Sequence, residues 1–135
     1  MQEKVKSKKT AWDIMAKNYD KRALAKDGIL YRQLFGLLKK SLHGNHEVLE
    51  IGCGTGIVSL GIAPYVKQVS GTDISSEMVM QARDKAEQQK VDNVNFSLLD
   101  GKRHVFSDGT FDVVLIPNVL HVAEKPEELL QEAHR

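Results

Sequence analysis

The sequence predicts an α/β domain with a parallel sheet of four strands and helices on both faces, and three observations support this. From Val48 onward, apolar runs of strand length alternate with segments of helical spacing, so successive strands run parallel and are joined through helices by right-handed crossovers. The first run, Val48-Leu49-Glu50-Ile51, passes directly into Gly52, Gly54 and Gly56, after which Ile57-Val58-Ser59-Leu60 resumes at helical spacing. Three of the strands close on or beside an acid, Glu50, Asp73 and Asp100, and ligands of open α/β sheets sit outside the carboxyl ends of the strands.

The length of 135 residues suits a single domain, residues 1–135, able to bury roughly two-thirds of its chain surface. Nineteen Lys and Arg balance 18 Asp and Glu for a net charge of +1, a balance that gives no overall field toward nucleic acid or an anionic membrane, so neither is expected as a partner. The basic cluster Lys4, Lys6, Lys8 and Lys9 reads as a solvated, flexible tail over residues 1–9. No apolar run approaches the ~20 residues of a membrane span and no signal-peptide pattern opens the chain, which places it in the cytoplasm. The single cysteine, Cys53, excludes an internal disulfide and a multi-cysteine metal site. Without a recognisable basic partner it reads as a small residue tolerated by the turn rather than as a nucleophile.

The elements follow in order. Residues 10–45 form N-terminal cap helices and residues 46–135 the core. Thr10-Ala11-Trp12-Asp13 has the form of a capping box, opening a helix from about Ala11 to Leu24. Leu30, Leu34, Leu37, Leu38 and Leu42 make Ile29 to Leu42 an amphipathic helix ending near Gly44. His43 and His46 follow with no third ligand in reach, and no metal is expected. Alternate glycines free the next turn from Cβ atoms, and the helix after it, about Thr55 to Ala63, directs unpaired N–H groups and its positive dipole end there, a setting for an anionic group. Pro64 stops that helix.

Val66 to Asp73 is the second strand. Asp73 follows Gly52 by 21 residues, near the ~20 at which an acid reaches ribose hydroxyls in dinucleotide folds. Ser75 and Ser76 are both N-cap candidates for a helix carrying Met78, Ala82 and Ala86 on one face. Val94 to Leu99 is the third strand, closed by Asp100-Gly101, and Phe111 to Ile116 the fourth, followed by Pro117-Asn118-Val119-Leu120-His121. Pro126 opens a last helix, with Glu127 and Glu128 at its positive end.

The glycines read G-x-G-x-G, with an acid two residues before the first; a dinucleotide turn would place its third glycine where Ile57 stands. On Glu50, Gly52, Gly54 and Gly56 the sequence resembles the class I S-adenosylmethionine-dependent methyltransferases, whose first motif is (D/E)-x-G-x-G-x-G. The resemblance implies a Rossmann-like sheet in the order 3-2-1-4, truncated relative to the seven strands of that family (3-2-1-4-5-7-6). It leaves Phe111 to Ile116 as a bare apolar edge, which calls for a dimer mate or partner chain over residues 111–116 unless the N-terminal helices cover it. His134-Arg135 ends within a helix without a stop signal, which favours a fragment of a longer product.

The resemblance also implies roles. Glu50 faces the cofactor's cationic methionyl end, and Gly52, Cys53, Gly54 and Gly56 form the turn against it. Asp73 holds the ribose, Ile74 and Met78 wall the adenine, and Asp100 with Gly101 meets the adenine amino group. Asn118 and His121 stand nearest the chemistry. Tyr19, in Tyr19-Asp20, closes over the cofactor. Each has a plainer alternative: a core tyrosine at Tyr19, core packing at Met78, an Asp-Gly turn at Asp100, a loop-orienting histidine at His121. The implied function is methyl transfer from S-adenosylmethionine to a small-molecule acceptor. Two alternatives stand beside it: a catalytically silent cofactor-binding domain or partner subunit, and a nicotinamide-dependent oxidoreductase, disfavoured by Ile57.

Overall fold

The computed structural model describes residues 2–99, 106–117 and 125–135, with residues 2–7 and 17 as backbone only. Helix α1 spans Gln2–Met15, a 3₁₀ turn Ala16–Asn18 follows, and α2 spans Tyr19–Ser41. The core then runs β1 (Glu47–Ile51), α3 (Ile57–Ile62), a 3₁₀ turn Ala63–Tyr65, β2 (Gln68–Asp73), α4 (Ser76–Gln88), β3 (Val94–Leu98), β4 (Val113–Leu115) and α5 (Pro126–His134). The sheet is parallel with the order β3-β2-β1-β4, as the resemblance implied. Among the described residues no helix is long and apolar enough to cross a membrane.

Strand register lays out the core. Val113, Val48, Val69 and Val94 are successive partners across the sheet, and two residues on, Leu115, Glu50, Gly71 and Phe96 form the next row of the same face. Against these rows pack Tyr31, Leu38 and Leu42 from the α2 segment, Val58, Leu60 and Ile62 of α3, and Val79, Ala82 and Ala86 of α4. A glycine in the second row has a steric reason: a Cβ at Gly71 would lie 2.7 Å from Phe96 Cδ1 and 3.0 Å from Cys53 Cβ. The Phe96 ring therefore leans across Gly71 and lies beneath the glycine turn. Asn93 ties the start of the sheet, its side-chain amide donating to the carbonyls of Ala63 (2.8 Å) and Val66 (3.3 Å).

Three expectations are corrected. The tail over residues 1–9 is helical from Gln2, and Thr10 lies inside α1 instead of capping it; Thr10-Asp13 therefore starts no helix, and the break falls at the 3₁₀ turn Ala16–Asn18. The two expected N-terminal helices divide elsewhere, at that turn, although the gap foreseen before Ile29 survives as a kink, with Asp27 at φ −120°, ψ 17° beside Gly28. The long bare edge at Phe111–Ile116 is a three-residue strand with half-buried side chains. Its approach is tied down by Asp112, whose carboxylate accepts from the Glu47 N–H (2.8 Å) while its own N–H donates to the Glu47 carbonyl (2.8 Å), and by Phe106 and Phe111, edge to face at 4.8 Å. Such flanks shorten the exposed ladder that would recruit another strand.

Candidate functional site

The turn between β1 and α3 is built by backbone conformations that side chains disfavour. Gly52, Gly54 and Gly56 all have positive φ (73°, 53° and 83°). The N–H groups of Gly52 and Cys53 both donate to the Thr72 carbonyl (2.8 and 2.9 Å), which locks the turn to the end of β2. The glycines serve different ends. A Cβ at Gly56 would strike Phe96 Cζ at 2.7 Å, so this glycine lets helix and sheet pack; at Gly54 it would meet only Tyr19 Cε1 at 3.8 Å and Met78 Sδ at 4.0 Å. At Gly54 a Cβ would meet no clash, only ordinary contact with these two side chains.

The donors at the start of α3 are met by a side chain of the chain itself. Glu50 Oε1 accepts from the Ser59 N–H (3.1 Å) and the Ser59 hydroxyl (2.6 Å), an acid satisfying an orphan donor at the positive end of a helix. Glu50 is buried, and its place between Leu115 and Gly71 in an apolar row pushes its carboxyl up from 4.5 to about 8; the Ser59 bonds oppose the rise and nearby Asp73 adds to it. No described residue bonds its second oxygen. With those donors satisfied from within, the site needs no external anion, and a cation beside Glu50 would favour the ionised form that burial disfavours up to about pH 8.

Asp73, at the end of β2, uses both oxygens on the backbone: Oδ2 accepts from the Gly54 N–H (2.9 Å) and Oδ1 from the Ser75 N–H (3.0 Å). Burial raises its carboxyl and these bonds pull it back. Tyr19, first residue of α2, lies against Gly54, with Tyr31 as a near neighbour. Burial raises Tyr19, and Asp73, Asp20 and Glu50 add to the rise, so the phenol and the acids share one neighbourhood. The structure thus brings Tyr19, Glu50, Gly54 and Asp73 together. Met78 is fully buried beside Gly54, on the same side as Tyr19, and Ile74 is half-buried.

Cys53 departs from its place among the cofactor-binding residues. Its side chain turns into the core, its thiol is pushed up by burial, and its N–H is spent on Thr72. Asp100, Gly101, Asn118 and His121 lie outside the described residues. Among the described residues no group of three His, Cys, Asp or Glu could hold a metal.

Sequence reasoning missed the polar contacts that dock the N-terminal helices on this site. Asp20 of α2 accepts from the Thr55 hydroxyl and from Lys85 Nζ (2.7 Å). Asp13 of α1 accepts from the Ser75 hydroxyl and, at 3.4 Å, from the Glu77 N–H, while Ser75 Oγ caps α4 by accepting from the Met78 N–H (3.2 Å). The pairs made by Asp13 and Asp20 join residues 35 to 65 apart in the chain, and no local pattern marks them.

Comparison with known proteins agrees with this geometry. The family described as methyltransferase domain matches residues 48–135. An uncharacterised methyltransferase of Bacillus subtilis (strain 168), YcgJ, is 31% identical over 102 residues, 74% of this chain and 40% of its own; its crystal structure superposes with a TM-score of 0.70 over 75% of this chain and 44% of that one. A phosphatidylethanolamine N-methyltransferase of Cereibacter sphaeroides is 36% identical over 66% of this chain and 44% of its own. The [4+2]-cyclase SpnF shares the fold at a TM-score of 0.69 with 28% identity, over 74% of this chain and 38% of that one. The chain spans less than half the length of these relatives. The family match also removes the nicotinamide alternative. With a sheet order, an acid-flanked glycine turn and a match over residues 48–135 that agree, the chain belongs to the methyltransferase domain family.

Proposed function

We propose that this chain is the S-adenosylmethionine-binding part of a methyltransferase whose acceptor is a small molecule. The observation that carries the reading is the gathering of Glu50 and Asp73 at the Gly54 turn beneath Tyr19. An acidic, partly covered site suits a ligand that is cationic at one end and presents hydroxyls at the other. The space over Gly54, which a Cβ there would begin to fill, is where the backbone admits such a ligand closely.

When bound, this cofactor supplies a methyl on a sulfonium sulfur, which an acceptor nucleophile displaces as S-adenosylhomocysteine leaves. In this reading Glu50 offers its second oxygen to the cationic end, while Ser59 fixes the first. Asp73 meets the ribose: a carboxylate has about four acceptor positions, and the two backbone bonds already in place leave acceptor capacity for ribose hydroxyls. Tyr19 covers the turn and excludes water, with Met78 flanking Gly54 beside it. Displacement at a sulfonium needs chiefly alignment and dryness, and alignment alone can supply about 7–11 kcal/mol. No side-chain catalyst is required. Asp100 for the adenine and Asn118 and His121 near the acceptor complete the reading by resemblance.

Calorimetry with S-adenosylhomocysteine, S-adenosylmethionine and NAD tests the proposal, followed by turnover with a panel of oxygen, nitrogen and sulfur acceptors. Binding of the first two and not of NAD is expected. Binding without turnover of any acceptor favours the silent cofactor-binding alternative, and no affinity for either adenosyl compound removes the reading.

A further inference from the structure

We propose that helix α2 docks on an anionic lipid surface, lying along it with its solvent side down. The near-neutral total charge conceals a segregation: Gln2–Ser41 carries eleven of the 19 Lys and Arg but four of the 18 Asp and Glu, a net +7 against −6 for the remaining chain. On α2, Lys21, Arg22, Lys26, Arg32 and Lys40 are all exposed. None of them makes an ion pair with a described residue.

Large apolar side chains stand among these cations. Leu24 is 53% exposed, Ile29 71%, Leu30 62% and Leu37 66%. Tyr31 and Leu38 face the core, and Leu30 and Leu37, each one residue earlier and so about 100° round the helix, are exposed beside that face with Ile29 next to Leu30. Cations interleaved with wet leucines and isoleucine are the pattern of a helix that lies in a lipid interface, apolar side chains entering the acyl boundary and cations meeting anionic headgroups.

The charge argues for an anionic occupant and the apolar residues decide which. A nucleic acid would use the cations but leave Leu30, Leu37 and Ile29 in water, and it binds single strands through aromatic platforms that this face lacks. A second copy would set +7 against +7. The −6 remainder of the chain is repelled by the same surface that attracts α2, which orients the molecule. The inference stands on this surface alone and not on the methyl-transfer reading.

The test is co-sedimentation of the 135-residue chain with vesicles of phosphatidylcholine alone and of phosphatidylcholine mixed with phosphatidylglycerol. Binding to the anionic vesicles alone is expected, weakening as salt rises. The double variant Leu30→Ser/Leu37→Ser and the charge variant Lys21→Glu/Arg22→Glu should each lower the partition coefficient by about tenfold or more, with circular dichroism and melting unchanged because all four residues are exposed. Absence of vesicle binding overturns the proposal, as does binding that survives the double leucine change. A dimer in sedimentation velocity that Leu30→Ser/Leu37→Ser dissolves, without vesicle binding, assigns the face to a second copy and overturns it too. Retention on single-stranded RNA that exceeds vesicle binding and ignores the leucines does the same.

Discussion

Glu50 and Ser59 are joined twice, the carboxylate oxygen Oε1 taking both the N–H (3.1 Å) and the hydroxyl (2.6 Å) of one residue on the helix that follows the glycine turn. The bond pair fixes the acid without satisfying all of it, and burial holds its carboxyl up at about 8.

Glu50 makes stability depend on pH in a definite direction. An unfolded glutamate titrates at 4.5, so between that value and about 8 the folded chain holds a proton the unfolded chain has released. This contribution is fully present below 4.5 and is lost as pH rises toward 8. Glu50→Gln keeps an oxygen for Ser59 and removes the charge, and we expect it to stabilise the ligand-free protein at pH 8 by on the order of 3 kcal/mol, with little difference at pH 4. Denaturant melts of both proteins across that range measure it; parallel curves would refute the assignment. If the proposed cation docks at Glu50, it draws the pKa down, and calorimetry near pH 7 in buffers of different ionisation heat will show proton release that Glu50→Gln abolishes.

Asp73 holds the turn as well as the proposed ribose. Asp73→Ala should weaken S-adenosylhomocysteine binding by at least about 1.5 kcal/mol, the scale of a hydrogen bond to a charged group. It should also lower stability by about 1–3 kcal/mol, since the Gly54 and Ser75 N–H groups lose their acceptor. Affinity measured well below the variant's melting point separates the two effects, and unchanged affinity there would detach Asp73 from the ligand.

Gly71 is predicted to be intolerant for steric reasons. Gly71→Ala places a Cβ 2.7 Å from the Phe96 ring, and overpacking of this kind costs about 1–3 kcal/mol. Adding Phe96→Leu frees that space, so the double variant should fall less than the sum of the singles in a double-mutant cycle. Strict additivity would show that the two positions do not compete for one space.

Lys85 anchors the N-terminal helices through Asp20. Their 2.7 Å pair is partly exposed, with side chains 24% and 37% accessible, so Lys85→Met should cost at most about 1 kcal/mol in global stability. Its larger effect should be local: faster amide exchange at the start of α2, around Tyr19, with β1 and β2 unchanged. Uniform acceleration throughout the chain would mean that the pair holds the whole fold.

The sheet was legible because its code is local. Each strand is a short apolar run, the crossovers from β1 to β2 and from β2 to β3 have helical spacing, and Ser75 and Pro126 mark helix starts. The glycine turn was legible for the same reason, since positive φ at three alternate positions demands a residue without a side chain. What local pattern could not give was the use made of each group. Thr10 and Asp13 have the spacing of a capping box, yet Asp13 serves Ser75, 62 positions away. Phe96 reads as an ordinary strand residue, and its support of Gly56 and Gly71 appears only once β3 is set beside β2. Charge balance is coarse in a related way: a sum over the chain is blind to how its cations are distributed.

Cys53 carries a practical corollary. It is the chain's one thiol, 6% exposed beneath the bend that admits the proposed ligand, so a colourimetric disulfide reagent can reach it only when that bend lifts from β2. Its labelling rate is a built-in clock for opening of the site, readable without attaching a probe, and any compound that seats on the bend should slow it in proportion to occupancy.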